Sequence, residues 1–172
     1  MTTREHTFLK LVRENDARLQ RICRVYTNDA DGQKDLYQDI LVQLWRALPS
    51  FDGEAQPGTW LYRVALNTAL SRKRAEIARR AEQHDSLDGS HALWRDGSPM
   101  PDEKLEANQQ LERLYAGIDR LRELDKALVM LFLDEKSYRE MAQVLGISET
   151  HVGVKLHRIK KELASWLAED DQ

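Results

Sequence analysis

The chain has 172 residues, 41% of them hydrophobic and 32% charged, with a formal net charge of −3 and a single cysteine. That composition is the range of a soluble helical protein with enough chain to bury one or two small cores. One cysteine excludes an internal disulfide framework and a Cys-rich metal site, and no apolar run is long enough to span a membrane.

The charge is unevenly spread. Residues 1–80 carry 14 Lys+Arg against 10 Asp+Glu, residues 81–112 carry 2 against 8, and residues 113–172 carry 10 against 11. A chain so balanced does not hold duplex DNA tightly by phosphate neutralisation alone, because that binding needs several cationic contacts at once. The opening MTTREHTFLKLVREND carries charges through its only apolar part, unlike a secretory signal, so a cytoplasmic protein with no membrane insertion is expected.

Residues 5–27 read as a first helix with Phe8, Leu9, Leu11, Val12, Leu19, Ile22, Cys23 and Tyr26 as core candidates. Cys23 lies within that stripe, which predicts a packed thiol rather than a redox sensor. Residues 28–32, NDADG, are turn and cap chemistry. A second helix follows, with Leu36, Ile40, Leu41, Leu44 and Leu48 on its apolar side and Asp35, Gln38, Asp39 and Gln43 on its polar side. Half of that helix is left to meet something else.

Pro49 ends the helix, residues 50–56, SFDGEAQ, make a turn, and Pro57 restarts a helix where its missing N–H is harmless. The third helix begins at Trp60, Leu61 and Tyr62 and turns basic at Arg72, Lys73 and Arg74. Aromatics and Asn67 ahead of a basic end suit a single nucleic-acid strand whose bases stack while its phosphates meet cations. Taken alone, a Trp at the position of Trp60 on a helix is core more often than a base platform, and a basic helix end also answers the macrodipole.

From residue 81 to 100 periodicity vanishes, as expected of a polar, acidic linker, and His84 and His91 have no partners at metal spacing. Beyond it Leu105, Leu111, Leu114, Tyr115 and Ile118 form one stripe, and Leu121, Leu124, Leu128, Leu131 and Phe132 continue after a turn near Arg122. Ser137 and Glu140 make a capping box, with Met141, Ala142 and Leu145 as the core face of the helix it starts. Gly146 makes a turn and Ser148 caps a last helix with Val152, Leu156, Ile159 and Leu163 inward. This is helix-turn-helix spacing. The opposite face carries Thr150, His151, Val154, His157, Arg158 and Lys161, with Lys155 at its flank.

Asp35-Leu36-x-Gln38-Asp39, the aromatic Trp45, Ala47-Leu48-x-x-Phe51-Asp52-Gly53 and Thr59-Trp60-Leu61-Tyr62-Arg63-x-Ala65-x-Asn67 together resemble the second domain of the extracytoplasmic-function (ECF) sigma factors of bacterial RNA polymerase. SYREMAQVLGISETHVGVKLHRIKKEL resembles their fourth domain. The resemblance implies an all-α fold of two small helical domains joined by a flexible acidic linker. Residues 1–80 would be a three-helix sigma domain two, 81–100 the linker, and 101–172 a sigma domain four with the helix-turn-helix.

It also implies partners and sites. Asp35, Gln38, Asp39 and Gln43 would dock on core RNA polymerase. Phe51, Asp52, Gly53, Glu54 and Gln56, with Trp60, Arg63 and Asn67, would take the minus-ten strand of promoter DNA, and Arg72 and Arg74 its phosphates. Arg79 and Arg80 would lie along promoter phosphates or be a solvated tail. Thr150, His151, Val154, Lys155, Arg158 and Lys161 would address the minus-thirty-five element. In the linker, Asp85, Asp88 and Asp96 would imitate nucleic acid or only solvate a tether. An anti-sigma factor is a further implied partner; no cofactor, metal or covalent chemistry is expected. No carboxylate pair, nucleophile triad or phosphate loop favours an enzyme.

Two departures from the family pattern stand out. Gly153 and Val154 precede Lys155 where the family has a basic and then a small polar residue, and Pro57-Gly58 stands where aromatic or basic residues are frequent. A rival reading is a stand-alone helix-turn-helix regulator. Another is a sigma-like interaction protein that sequesters a regulator.

Overall fold

The structure is a computed structural model that describes residues 3–51, 53, 56–82 and 102–169, with side chains from residue 111 to 168 in the last of these segments. The expected linker aspartates Asp85, Asp88 and Asp96 lie outside that description, as does the side chain of Leu105. The chain divides into two compact units, Met1–His91 and Ala92–Gln172. Every regular element among the described residues is helical.

In the first unit α1 (Thr3–Tyr26), α2 (Ala30–Ala47) and α3 (Pro57–Glu82) pack on one another in all three pairs. Leu19, Ile22 and Cys23 from α1, Leu36, Ile40 and Leu44 from α2, and Leu61, Tyr62 and Leu66 from α3 fill the centre, all at 0–1% exposure. Ala65 and Ala69, fully buried, leave room for the other helices to approach α3. Leu9 is exposed, contrary to expectation, and Asn15 is buried in the stripe instead. The amide is satisfied there: Asn15 Nδ2 donates to the Leu11 carbonyl at 2.8 Å and Oδ1 accepts from Arg18 at 2.7 Å.

Local chemistry sets the ends of these helices. Asp29 caps α2 by accepting from Gly32 N at 2.6 Å. Past Ala47 a 3₁₀ turn over Leu48–Ser50 tightens the chain around Pro49. Pro57 opens α3, which runs through Glu82, so Ala81 and Glu82 are helical.

The second unit comprises α4 (Asp102–Asp119), α5 (Glu123–Leu133), α6 (Tyr138–Leu145) and α7 (Glu149–Glu169). Its core is Ile118, Leu121, Ala127, Leu128, Met130, Leu131, Met141, Val152, Leu156 and Ile159. Leu111 and Phe132, expected inside, are exposed. Leu128 and Leu131 already take the inward positions of α5. Phe132, one 100° step further, turns outward and is covered on one face by the Lys160 ammonium 4.2 Å from its ring centre.

The α6–turn–α7 segment is tightly specified. Ser137 and Glu140 form the reciprocal capping box. Gly146 ends α6 at φ 67°, in the left-handed region that favours glycine, and its N–H bonds to the Ala142 carbonyl. Ser148 Oγ then accepts from His151 N at 3.2 Å and starts α7.

Candidate functional site

On α2 the expected docking residues Asp35, Gln38, Asp39 and Gln43 are all exposed, on the side opposite Leu36, Ile40 and Leu44. Val42 lies among them at 46% exposure, an apolar group that the sequence reading passed over. Its signal was available, since it falls one turn after Gln38 on the polar side. The two carboxylates have a partner within the unit: Arg72 lies 2.7 Å from Asp39 and 3.7 Å from Asp35. The Tyr37 hydroxyl donates to Asp16 on α1, and burial, then that carboxylate, raise its pKa.

The turn after α2 brings Phe51 against Trp60, ring centres 5.0 Å apart. Trp60, expected to help take the minus-ten strand, is only 5% exposed and packs in the core. Its ring is a floor beneath half-buried Phe51, which is the more accessible of the two aromatics. Gly53, at φ 79°, and Gln56 are exposed. Asp52 and Glu54 lie outside the described residues.

Along α3, Arg63, Asn67 and Arg74 are exposed and fall within 40° of one another around the helix. Arg72, expected beside Arg74 on phosphates, points elsewhere in this structure. It stands nine residues from Arg63, two and a half turns, so it faces the opposite way and meets α2. Farther on, Glu76 pairs with Lys73 at 3.1 Å and Arg80 at 2.6 Å. These residues, with Arg72 and Arg79, line an open cleft of about 200 Å³ beside the start of α2.

On α7, Thr150, His151, Val154, His157 and Lys161 are exposed. Lys155 and Arg158, expected to join them, bond within the unit, and Arg158 keeps 43% of its side chain exposed. Lys155 Nζ lies 2.9 Å from Asp125 Oδ1 and an Arg158 guanidinium nitrogen 2.7 Å from Asp125 Oδ2. Asp125, in the first turn of α5, is 2% exposed, with Arg122 a third cation at 3.5 Å. A carboxylate so buried has to be paired, and α7 supplies most of the pairing. Sequence reasoning missed Asp125 because its partners lie 30 and 33 positions away.

At Gly153 the space does not demand glycine. A Cβ at that position would stand 3.4 Å from the ring of Tyr138, the first residue of α6. Cys23 in the first unit is fully buried, and that burial pushes its thiol pKa up to about 12. Among the described residues no group of three or more His, Cys, Asp or Glu side chains is arranged to hold a metal ion, and no helix is long and apolar enough to cross a membrane.

Two family models match this chain, Sigma-70 region 2 over residues 11–79 and Sigma-70, region 4 over residues 111–163. The chain is 29% identical over 138 residues to RNA polymerase sigma factor YlaC of Bacillus subtilis (strain 168), covering 80% of this chain and 78% of that protein. It is 26% identical over 160 residues to ECF RNA polymerase sigma factor SigX of the same organism, covering 92% and 82%. Among solved structures, the sigma factor RpoE in complex with the anti-sigma factor NepR from Bartonella quintana matches with a TM-score of 0.74 at 18% identity, over 95% of this chain and 96% of that one. CnrH in complex with the cytosolic domain of CnrY matches with a TM-score of 0.68 at 22% identity, over 96% and 90%. At those identities the two structures attest the fold.

Proposed function

Because this chain belongs to the extracytoplasmic-function sigma factors of bacterial RNA polymerase, we propose a division of labour among its helices. The chain binds core RNA polymerase and directs it to promoters. In our reading α2 docks on the polymerase through Asp35, Gln38, Asp39, Val42 and Gln43. Phe51, the turn that follows it, and the Arg63–Asn67–Arg74 stripe receive the minus-ten strand, with Trp60 as support. The exposed face of α7 addresses the upstream element. The polymerase does the covalent chemistry, and this chain supplies positioning without a cofactor, in the cytoplasm.

One observation carries this reading: the exposed stripe of α3 lies opposite the Arg72 side that meets α2. A polymerase seated on α2 therefore leaves that stripe open to DNA. The engagement of Lys155 and Arg158 with Asp125 disfavours the stand-alone regulator, because α7 then offers few cations for duplex phosphates. An anti-sigma factor belongs to the same proposal, by analogy with the complexes of RpoE with NepR and CnrH with CnrY.

In vitro transcription with core polymerase tests it. Added chain should start transcripts at particular cellular promoters, Gln43→Ala with Val42→Asp should abolish core binding, and Arg63→Ala should spare core binding while slowing promoter opening. Failure to initiate from any cellular promoter template refutes the proposal.

A further inference from the structure

The outward face of α7 presents an apolar side chain where a helix surface usually carries polar ones. Val154 is 65% exposed, while Val152, Leu156 and Ile159 fill the inward positions. The fold gains nothing from it: a β-branched residue on an exposed helical surface forms helix less well than Ala, Lys or Glu. Thr150 stands one turn before it and His157 and Lys161 stand after it on the same exposed stripe.

The two cations in the first half of α7 are already engaged, and the stripe's own Lys161 stands almost two turns beyond Val154. Lys155, whose side chain is 13% exposed, and Arg158 both bond to the buried Asp125 carboxylate, and Arg158 also approaches Glu162 at 3.6 Å. The usual reader of guanine is an Arg or Lys reaching O6 and N7. Such a group is withdrawn from the first half of α7, the part of a recognition helix that meets base edges. What that half offers is the Thr150 hydroxyl, the His151 imidazole and the two methyl groups of Val154.

In the major groove the methyl group that a base pair can present is the C5 methyl of thymine. We propose that Val154 is a specificity-determining residue that packs on a thymine C5 methyl of the upstream element, so that this chain selects an A·T pair at that position. The proposal rests on the reading of α7 as the promoter-facing helix. The gain is the removal of two apolar groups from water, with neither polar group nor charge desolvated.

The test uses the full chain with core polymerase on a promoter from which it initiates, with the thymines of the upstream element replaced by deoxyuridine one at a time. One replacement should lower initiation by the wild-type chain about fourfold, the loss of a methyl-sized contact. Val154→Ala should lose a similar factor on the unmodified promoter and nothing more on that deoxyuridine template. Val154→Thr, which keeps one methyl in the same shape, should fall between. The proposal is overturned if no single replacement affects the wild type, or if Val154→Ala stays fully sensitive to it, as it would were Val154 a contact for another protein. A holoenzyme that initiates nowhere overturns the parent reading, and this one with it.

Discussion

Arg72 of α3 and Asp39 of α2 are joined at 2.7 Å, which ties the helix expected to meet DNA to the face expected to meet the polymerase. The pair is partly exposed, with side chains 35% and 57% accessible, so its contribution to stability is small, about 0.5 kcal/mol after solvent screening. Its consequence is positional: the guanidinium is turned towards two carboxylates of α2 and away from the stripe of Arg63, Asn67 and Arg74.

Arg72 and Arg74, two residues apart, should therefore behave differently. Arg74→Ala should weaken holoenzyme binding to the minus-ten single strand and reduce the salt slope of that binding by about 0.7, the value for one lost single-strand phosphate contact. Arg72→Ala should leave the slope unchanged and weaken the association with core polymerase. Salt titrations of a fluorescent minus-ten oligonucleotide read both. An equal fall in slope for the two variants would put Arg72 on DNA.

Asp125 holds two cations of α7 against the start of α5, and Asp125→Asn should have two separable effects. The buried pairing is broken from one side, with an expected cost of about 3 kcal/mol in urea unfolding. Lys155 and Arg158 are also released, so non-specific duplex binding by the chain should gain up to about 0.9 in salt slope for each cation that reaches a phosphate. A variant that is destabilised but binds duplex with an unchanged slope would mean that α7 presents no new charge when the tie is cut.

The helices of this fold were legible from sequence because amphipathic period, capping residues and glycine turns are local: the Ser137–Glu140 box, Gly146 and Ser148 all act within a few residues of themselves. The exposed faces of α2 and α7 followed from the same period. What escaped was the spending of charge across the fold. Nothing within a helical turn of Arg72, Lys155 or Arg158 announces that Asp39 or Asp125 will claim it. Trp60 was ambiguous for another reason. Its helical position fits a core, while its neighbours in the motif point to DNA, and only the packing of Phe51 over it separates the two aromatics.

That packing decides which aromatic is the useful probe. Trp60→Ala empties a buried site and should cost about 3–5 kcal/mol, so any loss of promoter opening would be confounded by unfolding. Phe51 is half-buried at the rim, and Phe51→Ala should retain the helical circular dichroism and core binding of the wild type while slowing promoter opening severalfold. Permanganate reactivity of minus-ten thymines, followed in time, measures the rate. Normal opening by a folded Phe51→Ala chain would remove this ring from the candidate site.

Cys23 gives a pH dependence whose direction is fixed by its surroundings. Burial among apolar side chains penalises the thiolate and lifts the thiol from the usual 9.0 to about 12, with the Arg72 charge opposing this in part. The thiol should therefore resist alkylation at pH 8 while the chain is folded and react once urea unfolds it. A raised thiol pKa means that the unfolded chain releases its proton first. Cys23 thus costs no stability below pH 9, and stability falls as pH climbs from about 9 towards 12, by at most about 1.4 kcal/mol per pH unit. The quantity to measure is the difference in slope between wild type and Cys23→Ala. The variant should lose stability less steeply above pH 9, and parallel curves would mean that the thiol is not held in its neutral form by the fold.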